Sequence, residues 1–129
     1  MFSFFKPRWQ HKDPLIRIEA INALLDNDEL LLTIIRQDTD AKAQRAALDK
    51  ITDISKIYGL YQSEPKQLLK QIILEHLLDL LAGIHPKAPD LKTRLDYMSH
   101  INYQKLPITY LIINTPDHLL AQKLLENVK

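Results

Sequence analysis

The chain is predicted to be all-α, about seven helices packed as stacked antiparallel hairpins. Three observations carry this prediction. An Asp–Arg–Asp pattern occurs twice, as Asp13, Arg17 and Asp40 and again 77 residues later as Asp90, Arg94 and Asp117, with 27 residues between the two aspartates of each copy. Apolar positions keep the same offset: Leu24 and Ile101, Ile34 and Leu111, Ile35 and Ile112, Leu48 and Leu125, Ile51 and Val128. Only two glycines are present, too few for a set of tight hairpins between strands. A repeat of this period without strand-type alternation is the signature of stacked helical hairpins.

The elements follow in order. Residues 1–12 form an aromatic and basic arm, with Phe2, Phe4, Phe5 and Trp9 beside Lys6, Arg8 and Lys12, and Pro7 argues against a continuous helix there. Asp13-Pro14 starts the first helix, because the carboxylate accepts from the free N–H groups of the first turn and proline suits its first position. Ile16, Ala20, Ala23 and Leu24, joined by Ile21, mark its apolar face. Asn27 or Asp28 caps a second helix through Leu31, Ile34 and Ile35. Asp40 caps a third through Ala43, Ala47, Leu48 and Ile51, whose alanines suit close packing.

The middle departs from the repeat. Ser55 to Gln62 reads as a short helix weakened by Gly59. Ser63 is expected to cap the longest helix, about Pro65 to Ala82, with Gly83 just past its end. The apolar set of that helix is broad (Leu68, Leu69, Ile72, Ile73, Leu74, Leu77, Leu78, Leu80 and Leu81), so it needs contact on two sides. Packing between both repeat pairs meets that need, and a homodimer face on helix 65–82 is the alternative. Residues 84–89 are a linker. Helical signals resume at Asp90, at Pro107 before Ile108–Ile113, and at Asp117 before a last helix from His118. The chain is thus expected to be one helical-repeat domain: an arm over 1–12, a first module over 13–53, central helices over 54–83 and a second module over 90–129. A solenoid normally closes with a polar capping unit. The last helix runs on without one, so a longer parent protein is expected.

A length of 129 residues can bury a real core. The net charge of +1 offers no global attraction for nucleic acid or an anionic membrane. Without cysteine, a disulfide framework, a CxxC zinc site and thiol catalysis are excluded. No apolar run reaches the roughly 18 residues of a membrane span. The opening segment is too short and interrupted for a signal peptide, so a cytoplasmic location is expected.

The segment from Asp13-Pro14 through Ile16-Arg17 to Ala20, Ala23 and Leu24 resembles the HEAT-type repeat: Asp-Pro, an aliphatic residue, arginine, then alanine and leucine at helical spacing. Asp38 to Leu48 is similar, with Gln44 where arginine is usual; Asp90 to Arg94 keeps the Asp and Arg but lacks the proline. The run from Phe5 to Pro14 also looks like the start of a group of large bacterial proteins with short HEAT-like repeats followed by long coiled coils. The resemblance is closest over residues 4–52. It implies a right-handed solenoid and a scaffold role within a longer protein, and it implies no reaction.

The repeated residues are expected to be structural. Asp13, Asp40, Asp90 and Asp117 cap helices and complement the helix dipole. Arg17 and Arg94, one turn in, suit planar pairing with an acid of a neighbouring unit, giving an Asp–Arg ladder. The histidines His11, His76, His85, His100 and His118 form no HExxH motif, and His76 lies within the apolar helix as a structural residue. Asp26, Asp28 and Glu29 lack the glycine and closing glutamate of a calcium loop. Two glycines cannot build a phosphate cradle, and no GxSxG is present. No catalytic residue, metal or cofactor is therefore expected.

Function then falls to surfaces. The leading expectation is a scaffold that binds another protein or an extended peptide. Phe2, Phe5, Lys6, Arg8, Trp9 and Lys12 of the arm and Lys42 and Arg45 of the third helix are the candidate contacts. The alternative is a nucleic-acid contact through the same basic and aromatic arm. On the structural side, the arm aromatics are expected to cover the end of the first hairpin.

Overall fold

The computed structural model describes residues 7–100 and 106–126, with the backbone only at His100. Among these residues there are eight α-helices, against the expected seven or so, and no strand. The chain divides into two compact units, Met1–Ile51 and Thr52–Lys129. Phe2, Phe5 and Lys6 of the arm, and Ile101 and Val128 of the repeat, lie outside the described residues.

The first unit holds a 3₁₀ turn, Arg8–Gln10, followed by α1 (Pro14–Ala23), α2 (Asp28–Gln37) and α3 (Ala41–Asp49). Each α-helix starts at a side-chain acceptor. The Asp13 carboxylate takes the Leu15 N–H at 3.0 Å, Asn27 takes that of Leu30 at 3.2 Å, and Asp40 takes that of Ala43 at 3.0 Å. Asn27, rather than Asp28, is the cap of α2. Asp28 and Glu29 then sit at the positive end of that helix and Arg36 at its negative end, as the dipole favours. The C-terminal end of α1 is closed as well: the Lys50 ammonium donates to the carbonyl of Asn22 in its last turn and to that of Leu24 just past it.

The core of this unit is Ile21 with Leu31, Leu32, Ile34 and Ile35 of α2 and Ala43, Ala47 and Leu48 of α3. The two alanines have almost no side chain to hold the helices apart, and α3 packs against both α1 and α2. Of the α1 face expected from sequence, Ile21 is fully buried, Ile16, Ala20 and Leu24 are half-buried, and Ala23 is exposed.

The second unit holds α4 (Ile54–Ser63), α5 (Gln67–Ala82), α6 (Leu91–His100), α7 (Ile108–Asn114) and α8 (His118–Glu126). Asp53 caps α4, and Ile54, Ile57 and Leu60 bury its inward face. In this unit α5 packs against α4 and α7, and α7 packs against α8. Lys70 of α5 lies 4.9 Å from the ring centre of Tyr61 on α4, a cation–π contact across the turn. The Tyr110 hydroxyl donates to Asp79 at 2.8 Å and so ties α7 to α5. That bond to an anion, and the charge of Glu75 nearby, hold the tyrosine's pKa above its usual value.

One expected cap is not used. Ser63 is the last residue of α4, and its hydroxyl donates back to the Leu60 carbonyl at 3.2 Å. Pro65 disfavours helical backbone at the residue before it, and Glu64 is extended; Lys66 is extended as well and stands at the N-cap, so α5 starts at Gln67. Buried Glu64 takes the Lys66 N–H at 3.1 Å instead. At its other end α5 finishes as the sequence predicts. Gly83 is left-handed (φ 81°), its N–H reaches the Leu80 carbonyl at 3.2 Å, and the Ile84 N–H reaches that of Asp79 at 3.0 Å. These two bonds make a Schellman motif. Leu69, Ile72, Ile73, Leu77, Leu78, Leu80 and Leu81 of α5 are buried, whereas Leu68 is 86% exposed.

Gly59 sits inside α4, exposed, with nothing within 4 Å of where a Cβ would stand. Alanine there removes unfolded-chain freedom at no steric cost. Gly59→Ala is expected to raise stability by about 0.5–1 kcal/mol in urea denaturation, and a decrease would show that the glycine is needed in the folded state.

Candidate functional site

The duplicated residues are spent on holding each unit together. Arg17 makes a two-point pair with Asp38, Nε to Oδ2 at 2.9 Å and Nη2 to Oδ1 at 3.1 Å. Its Nη1 donates to the carbonyls of His11 at 2.8 Å and Lys12 at 3.1 Å. One guanidinium thus joins the arm, α1 and the end of α2. Arg94 does the corresponding work in the second unit. Its Nη2 lies 2.6 Å from Asp117 Oδ2, Nε donates to the Pro89 carbonyl at 2.9 Å, and Nη1 to that of Leu81 at 3.3 Å. Lys12 and Pro89, whose carbonyls are used, stand at the same offset as the arginines themselves.

The acid that answers each arginine differs between the copies. Asp38, two residues before the Asp40 cap, pairs with Arg17; in the second copy that position is Thr115, and Arg94 turns to Asp117. The turn itself is preserved. Asp38 Oδ1 takes the Asp40 N–H at 2.9 Å, and Thr115 Oγ1 takes that of Asp117 at 3.2 Å. Thr115 also donates its hydroxyl to the Ala82 carbonyl at 2.7 Å, at the end of α5. Each arginine expected to pair with an acid does so, and both pairs are closed within their own unit. The reason is reach: the α2–α3 and α7–α8 turns bring an acid directly onto each arginine.

The four aspartates divide by role. Asp13 and Asp40 cap through their side chains. Asp90 accepts the Thr93 N–H at 2.8 Å, and its bonds to the Thr93 hydroxyl and N–H lower its pKa. Asp117 precedes α8 and supplies its first backbone acceptor, to the Ala121 N–H at 3.1 Å, while its carboxylate serves Arg94.

Gln44, where arginine is usual in the resembling repeats, is buried. Its amide donates to the Ile35 carbonyl at 3.3 Å and the Asp38 carbonyl at 2.7 Å, and so closes the C-terminal end of α2. A neutral side chain suits this place, because Arg17 already answers the carboxylate of Asp38. Sequence reasoning missed Asp38, Thr115 and the task of Gln44. The available signal was that Asp38-Thr-Asp40 and Thr115-Pro-Asp117 both place a side-chain acceptor two residues before a cap.

The candidate contact residues are spread over the first unit. The 3₁₀ turn carrying Arg8 and Trp9 packs on α1, and Arg8 pairs with Glu19 at 3.8 Å, both exposed. Lys12, Lys42 and Arg45 are exposed. Half-buried Trp9 borders two clefts. One, of about 400 Å³, lies over the Arg17–Asp38 pair; the other, of about 580 Å³, is bounded by Pro7, Glu19, Ala20 and Leu24. In the second unit His76 and His85 meet edge to face, ring centres 5.4 Å apart. No helix among the described residues is long and apolar enough to cross a membrane. Comparison with known proteins gave no matching family model, no matching curated protein and no matching solved structure.

Proposed function

We propose that this chain is a non-enzymatic scaffold for protein–protein interaction, built from HEAT-like repeats and belonging to the N-terminal part of a larger protein. The observation that carries the proposal is how the two kinds of side chain are used. The polar residues that the sequence repeats are consumed internally by caps and ion pairs, and among the described residues no buried side-chain polar atom lacks a partner. Large apolar side chains stand outward instead: Leu25 is 87% exposed, Leu68 86% and Ile113 73%, with Leu15, Leu119 and Leu125 also exposed. Outward apolar side chains on a helical frame are available as contact area for another protein. A nucleic-acid contact through Arg8, Trp9 and Lys12 is the second reading; the net charge of +1 and the Arg8–Glu19 pair weigh against it.

The test is retention on the immobilised chain from a lysate of its source cells, treated with nuclease. A discrete protein partner is expected to stay bound between about 50 and 200 mM salt, a range over which phosphate-backbone contacts weaken steeply. Leu68→Asp and Ile113→Asp, at exposed positions, are expected to leave helix content unchanged while at least one of them reduces that retention. Binding of nucleic acid alone, lost steeply with salt, would favour the second reading and overturn the first.

A further inference from the structure

We draw no further inference here: the strongest candidate, the half-buried His76–His85 pair between α5 and the turn that follows it, carries no metal site, because His85 Nδ1 accepts the Lys87 N–H at 3.0 Å and a neutral ring that accepts there holds its proton on Nε2, with no lone pair left to share with an ion.

Discussion

Arg94→Ala is expected to destabilise the second unit by about 3–5 kcal/mol, the cost of breaking a buried ion pair from one side. The side chain is 7% exposed and serves three partners at once: Asp117 and the carbonyls of Pro89 and Leu81. Its loss leaves a partly buried carboxylate without a counter-charge and two carbonyls without a donor. Arg94→Lys keeps the charge but cannot address all three from one planar fork, so it should recover only part of the loss. Urea denaturation followed by circular dichroism measures both. If Arg94→Ala shifted stability by less than about 1 kcal/mol, in the range of an exposed pair, the pair would not be what holds α6 to the α7–α8 turn.

The second large effect is expected at Gly83. Its φ of 81° lies where an L side chain costs roughly 1–2 kcal/mol. A Cβ built on Gly83 would also stand 2.5 Å from Arg94 Nη1 and 2.8 Å from its Cζ, closer than atoms pack. Gly83→Ala should therefore cost about 3 kcal/mol or more, since Arg94 must move and give up its bond to Leu81. The two positions are then coupled. In an Arg94→Ala background the steric part vanishes, and Gly83→Ala should cost only the backbone part, roughly 1–2 kcal/mol. Additive losses in the double-mutant cycle would rule out the contact as the reason for glycine. Asn at position 83, which tolerates left-handed backbone, would still meet Arg94 and is not expected to restore stability.

Gly83 shows how far sequence goes. That a glycine ends α5 follows from the apolar run before it and from the backbone needs of a Schellman turn. That the same hydrogen atom makes room for a guanidinium from the next helix does not, because Arg94 reaches it through space. Arg17 teaches the same lesson. Its charge, planarity and place one turn into α1 announce a pairing role, but its partner is Asp38, 21 residues on, and not a residue of the repeated set. The Ser63 cap failed for a local reason: Pro65 forces Glu64 out of helix, so Ser63 cannot lead directly into α5. Trp9 was legible as a candidate contact, while the cleft beside it needed α2 and the Arg17–Asp38 pair to be in place.

The sequence by itself determined the helical class, most of the caps, the glycine stop of α5 and the duplication. Each of these depends on bonds between residues at most five apart, or on the spacing of apolar side chains. Tertiary structure decided which acid answers each arginine, which carbonyls buried Gln44 closes, and why a side chain at Gly83 would collide with Arg94. Those outcomes depend on which helix ends are brought together, and neighbours along the chain do not specify that.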